Sequence, residues 1–97
     1  MRTVKWSKEA KTDFNSIINY LLYEWSAKEA EQFITEVYNL IHLLEQGNAE
    51  FRKINFKNIH AATISKQITI YHRIQSKYIV AFLRIWDNRQ NPKRIGL

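Results

Sequence analysis

Three arginines, Arg73, Arg84 and Arg89, lie close along the chain to Tyr71, Phe82 and Trp86. Planar guanidinium forks match phosphate oxygens two at a time, and aromatic rings stack on bases, so this set suits a polyanion. A partner peptide laid along a strand would use the same residues. His60 and His72 are nearby, and imidazoles change protonation near neutral pH. Cysteine is absent, which excludes disulfides and thiolate metal sites, and neither a metal nor a cofactor is expected.

Charge is divided unevenly between the halves. Residues 1–50 carry five Lys/Arg against eight Asp/Glu, a balance of −3, while residues 51–97 carry ten against Asp87 alone, a balance of +9. Clustered cations gain by displacing counterions from phosphates, and an acidic protein segment would satisfy them equally.

These residues need a scaffold, and the periodicities predict one. Thr3 to Trp6 alternates as an opening strand. Ser7 suits a helix N-cap, and Ala10, Phe14, Ile17, Ile18, Leu21, Leu22 and Trp25 then trace one stripe on a helix over residues 8–24. Ser26 and Glu29 form a capping box for a second helix, whose stripe is Ala30, Phe33, Ile34, Val37, Leu40, Ile41 and Leu44, and Gly47 ends it. A connection this short makes an antiparallel helical hairpin. Tyr20, Tyr23 and Tyr38 fall at the stripe margins as half-buried rings, and His42, off the stripe, receives no role. Phe51 to Phe56 is a short strand or lead-in. Residues 59–65, 67–75 and 78–86 follow as an antiparallel meander with turns at Lys66 and Ser76-Lys77.

The last strand opens the stretch Tyr78 to Pro92, in which two unlike faces alternate. With Ser76-Lys77 as a two-residue hairpin loop, Arg73 faces Val80, Tyr71 faces Phe82 and Thr69 faces Arg84 on one side. On the other side Ile74, His72, Ile70 and Ile68 face Ile79, Ala81, Leu83 and Ile85. The aliphatic side belongs under the helices. Tyr71, Arg73, Phe82, Arg84 and Trp86 then form an open face, with Arg89 at its end. His72 falls on the helix side and reads as a core or boundary histidine; His60 has the parity of the open face if the Lys66 turn is short.

The expected architecture is therefore α+β: an N-terminal strand, a helical hairpin, and a three- to four-stranded antiparallel meander packed under the helices. At 97 residues, 45% hydrophobic, with two Gly and one Pro, this is a single domain over residues 1–97 without linkers. The start, MRTVKWSKEA, has no apolar run after its charges, and no segment approaches a membrane span, so a cytoplasmic location with no membrane partner is expected.

Several stretches taken together carry a resemblance: VKWSKEA at the start, Asp13-Phe14-x-x-Ile17 running to Tyr20, Glu24-Trp25, Ile70-Tyr71-His72-Arg73-Ile74, and LRIWDNRQNPKRI from Leu83. Over essentially its whole length the chain resembles the RelE/ParE superfamily of toxins from bacterial type II toxin–antitoxin systems. The ending is the most specific, looking like the I-x-D-x-R-Q-N-P of many ParE-like members. The resemblance implies a growth-inhibiting toxin of the kind linked to plasmid stabilisation, neutralised by a cognate antitoxin that wraps the basic surface. RelE-like members cut mRNA on the ribosome; ParE-like members keep the fold without the nuclease residues and act on DNA gyrase.

Metal-independent RNA cleavage needs a base for the 2′-hydroxyl, cations for the phosphorane charge and an acid for the leaving oxygen. Arg73, Arg84 and Arg89 are candidate cations, and His60 is the better candidate base. Some nucleases of the superfamily place His or Tyr near the C-terminus, whereas this chain closes Lys93-Arg94-Ile95-Gly96-Leu97. That ending favours the ParE branch. A ribosome-dependent endoribonuclease and a catalytically inert binding module are the competing readings. Whether two copies pair through their helices is open.

Overall fold

The computed structural model describes residues 1–47, 51–54, 57–65, 67–90 and 94–97. The elements follow the expected order: β1 (Thr3–Trp6), α1 (Lys8–Glu24), α2 (Ala27–Gln46), β2 (Arg52–Lys53), β3 (Ile59–Thr63), β4 (Ile68–Ile74) and β5 (Ile79–Asp87). One sheet of order β1-β5-β4-β3-β2 contains all five strands. β1 lies parallel to β5, and every other pairing is antiparallel. β1 is therefore an edge of the meander itself. Of the short strand or lead-in expected over Phe51 to Phe56, Arg52 and Lys53 pair with β3 and the Ile54 amide donates to the Ile59 carbonyl at 2.8 Å, while Asn55 and Phe56, like the turn residue Lys66, lie outside the described residues.

Local signals fix the helices. Ser7 accepts from the Ala10 amide at 3.0 Å and Ser26 from the Glu29 amide at 3.3 Å, each removing one of the free donors of a first turn. Gly47 closes α2 at φ 71°, a backbone angle that a side chain would strain. Phe33, Val37, Leu40 and Leu44 of α2, with Ala10 of α1, pack on Ala62, Ile70, Val80, Phe82 and Ile85 of the sheet. Trp6 joins the two layers, its ring centroid 5.1 Å from those of both Phe14 and Phe82. α1 departs from its expected stripe at the end, where Leu22 and Trp25 are exposed. Tyr23, expected half-buried, is 87% exposed.

The β4–β5 register differs from the expected one for two reasons. Gln75 and Ser76 both donate to the Ile79 carbonyl, so the hairpin loop is Ser76 to Tyr78, one residue longer than expected, and Ser76 Oγ accepts from the Tyr78 and Ile79 amides inside it. A bulge then follows: His72 pairs with Phe82 but Tyr71 pairs with Arg84, leaving Leu83 as an extra residue. Before the bulge, Val80 and Phe82 face the helices, and Phe82 is fully buried there rather than on the open face. Beyond it the expected parity returns, with Ile85 inward and Arg84 and Trp86 outward.

His72 lies on the helix side, as expected, and is 1% exposed. His60 pairs with it across β3 and β4 and stacks on it at 5.7 Å, so His60 also lies on the helix side and not on the open face. Phe51 meets His72 edge-on at 5.6 Å. Loss of hydration on burial, and to a lesser extent the neighbouring His60, hold the His72 imidazole at about 4, against an ordinary 6.5. Above 6.5 the group is neutral in both folded and unfolded chains. Between 6.5 and 4 the unfolded chain takes up a proton that the folded one refuses, so stability falls with falling pH, by up to roughly 3 kcal/mol. Denaturant titrations at pH 7 and pH 4.5 are expected to show this loss, and His72→Leu is expected to keep the fold and flatten the dependence; an unchanged slope in that variant would contradict the assignment.

Candidate functional site on the outer sheet face

On the face away from the helices, paired residues form three rows across β3, β4 and β5. Arg73 lies between Ile59 and Ala81, Tyr71 between Ala61 and Arg84, and Thr69 between Thr63 and Trp86. The alanines keep the rows around Tyr71 and Arg73 shallow. Trp86 is only 5% exposed and Thr69 3%. Thr69 Oγ lies 3.3 Å from Thr63 Oγ and donates to Asn88 Oδ1 at 3.0 Å, which ties this end of the face to the turn after β5.

Arg84 crosses Trp86 with its guanidinium carbon 5.0 Å from the ring centroid. Its Nε and one terminal nitrogen donate to the two Asp13 carboxylate oxygens at 2.8 and 3.0 Å, and its other terminal nitrogen donates to the Ile95 carbonyl at 2.7 Å. The Asp13 hydrogen bonds raise the Arg84 pKa further above its already high value. Asp13 also accepts from the Ile85 amide at 3.0 Å. Arg84 is thus committed to α1 and to the C-terminal segment.

Arg89 stands elsewhere. It pairs with Asp87 through two guanidinium bonds of 3.0 and 2.7 Å, and its carbon lies 5.5 Å from the Tyr20 ring centroid on α1. Those bonds hold the Asp87 carboxyl below its usual range. Since Asp87 has the parity of the helix side, Arg89 sits against the hairpin rather than at the end of the outer face. Asn91 and Pro92 of the family-like ending lie outside the described residues.

Of the expected site residues, the outer face therefore gathers Tyr71, Arg73, Arg84 and Trp86. Phe82 and His60 are on the opposite side, and Arg89 is displaced toward α1. Arg73 Nε and Trp86 Nε1 are, among the described residues, the buried side-chain donors without a hydrogen-bond acceptor. Both are on this face. Leaving such groups unmade costs about 1–3 kcal/mol each, and because both atoms are shielded from solvent an acceptor recovers that energy only where binding shifts the side chain. Asp13 went unassigned in sequence reasoning, although it belongs to the Asp13-Phe14 pattern of the resemblance.

Comparison with known proteins now decides the family. The sequence matches the profile described as the ParE toxin of type II toxin–antitoxin systems, parDE, over residues 4–92. The chain belongs to the ParE toxin family. It is the toxin of a type II toxin–antitoxin system. No curated protein sequence matches it. Among solved structures, a chain of the chromosomal ParDE system of P. aeruginosa superposes with TM-score 0.73 at 18% identity, covering 90% of this toxin and 96% of that chain. A copper-bound mutant toxin from Helicobacter pylori gives 0.66 at 14%, covering 92% and 97%. The E. coli DinJ-YafQ complex gives 0.62 at 10%, covering 92% and 96%. At these identities the likeness shows the shared fold.

The Asp13–Arg84 pair is partly shielded, with side-chain exposures of 14% and 21%. Removing one partner strands the other. Arg84→Ala and Asp13→Ala are each expected to lower the unfolding free energy by about 1–3 kcal/mol, with a double-mutant coupling of at least about 1 kcal/mol. Arg84→Lys is not expected to restore it, because an ammonium cannot span both carboxylate oxygens and Ile95. Urea denaturation of the four-protein cycle checks this; additive losses would show that the clamp contributes nothing.

Proposed function

We propose that this toxin arrests growth in the ParE manner, by binding a target through its outer sheet face, with DNA gyrase as that target. The antitoxin neutralises it by covering the same face with an acidic or amphipathic segment. The observation that carries the reading is the aromatic and cationic surface that gathers Tyr71, Arg73, Arg84 and Trp86 across β4 and β5, with the unsatisfied donors Arg73 Nε and Trp86 Nε1 buried just beneath it. Carbonyls or carboxylates of a bound protein strand are suitable acceptors. The match to the ParE profile supports the branch. The placement of His60 with His72 on the helix side also favours this reading over a nuclease, since the proposed base is separated from Arg73 and Arg84 by the thickness of the sheet.

The donors allow a clean test. Arg73→Met deletes an unpaired polar group at similar length, so thermal stability should be little changed, whereas Trp86→Phe also removes ring area packed under Arg84 and should lower the unfolding free energy by about 1 kcal/mol, a loss to be measured beside toxicity. Toxicity should fall, with at least about tenfold more induced protein needed for arrest if each donor contributes about 1.4 kcal/mol to target binding. Growth curves under graded induction, plasmid supercoiling in the arrested cells and primer extension on translated mRNA are the readouts. Relaxed plasmid with intact message is expected. Message cut in the ribosomal A site would replace this reading with the endoribonuclease one, and the absence of any arrest would leave an inert binding module.

A further inference from the structure

A cleft of about 360 Å³ opens at the far end of the molecule, where the α1–α2 connection approaches Ser65, Gln67 and the Asp87–Arg89 pair. Its floor is apolar, built from Leu21, Phe33 and Ile68, and Trp25 forms a wall while remaining 65% exposed. Glu29 and Glu36 stand on its rim. Neither forms an ion pair among the described residues, and the one side-chain bond between them and the rest of the cleft is Gln32 to Glu36 at 3.4 Å. Among the described residues Arg89 is the cation lining the cleft, and it is already paired with Asp87. The depression continues along α1 past Tyr20 to Tyr23 and Glu24, so it is a groove rather than a closed pocket.

We infer that this groove receives a short basic, amphipathic segment of a partner protein, whose apolar side chain enters between Phe33 and Trp25 while a neighbouring Lys or Arg meets Glu29 and Glu36. The charge decides the occupant. In a chain of net charge +6, whose second half carries the excess of cations, two rim carboxylates with no ion pair among the described residues disfavour the acidic segments that suit the outer face. They select the opposite chemistry. A groove with an apolar floor, an exposed Trp and a charged rim also has the composition of a binding hot spot. The inference does not rest on gyrase as target, since groove and outer face are separate surfaces.

A displayed library of random 12-residue peptides, selected on the folded full-length toxin and on two variants, tests it. Glu29→Gln/Glu36→Gln removes the rim charge, and Trp25→Ala removes an exposed ring; circular dichroism and thermal melting verify that both fold as the parent does. The parent is expected to enrich a class of peptides with Lys or Arg beside Leu, Ile or Phe. Recovery of that class should fall at least tenfold on either variant, and a synthetic member should lose at least tenfold in affinity by calorimetry. Equal recovery on the double variant, enrichment of acidic peptides alone, or no enriched class would each overturn the inference.

Discussion

Asp13 accepts three hydrogen bonds from β5, two from the Arg84 guanidinium and one from the Ile85 amide, and much of the molecule's order depends on that carboxylate. β1 covers the outer edge of β5 only as far as Phe82, because the chain turns into α1 at Ser7. Beyond that point the β5 backbone would be an open edge, unsatisfied and ready to pair with another strand. The start of α1 closes it. The Ser7 amide donates to Phe82, Ser7 Oγ donates to Leu83 at 2.8 Å while capping the helix, and Asp13 takes the next exposed amide. The bulge at Leu83 falls within this substituted stretch, where a helix rather than a strand is the neighbour.

The clamp also disposes of the charge. Arg84 is bound to Asp13 and Ile95 and lies over Trp86, so it shapes the outer face more than it offers a mobile cation. Arg73 and Trp86 keep unsatisfied donors on that face. Arg89, paired with Asp87 and laid over Tyr20, belongs to the groove by the helical hairpin. Arg84 and Arg89 are thus not parts of one continuous cationic surface. Two regions of opposite character result, one basic and aromatic, the other apolar with an acidic rim.

Helices were legible in the sequence to the residue, because Ser7, Ser26, Glu29 and Gly47 act on their own neighbours and the α2 stripe has a single apolar side. The faces of β5 were not. Ile79, Ala81 and Leu83 on one parity and Val80 and Phe82 on the other are all apolar, so alternation carries little information there, and neither an extra loop residue nor a bulge disturbs the pattern. The longer loop and the bulge together put Phe82 on the helix side while Arg84 and Trp86 keep the outer parity that alternation predicts. His60 was misplaced because its parity was carried across a turn of assumed length. The role of Arg84 was hidden for another reason: its partner Asp13 is 71 residues away, and only tertiary structure brings them together.

Native-state hydrogen exchange at the Ile85 amide tests the edge-closing role of Asp13 most directly. In the parent toxin this amide should be protected to nearly the level of the Ile70 amide in the buried core. In Asp13→Ala it should exchange roughly 100-fold faster relative to Ile70, on the order of one charge-assisted hydrogen bond and the local opening it restrains. An Ile85 amide as protected in the variant as in the parent would contradict the account.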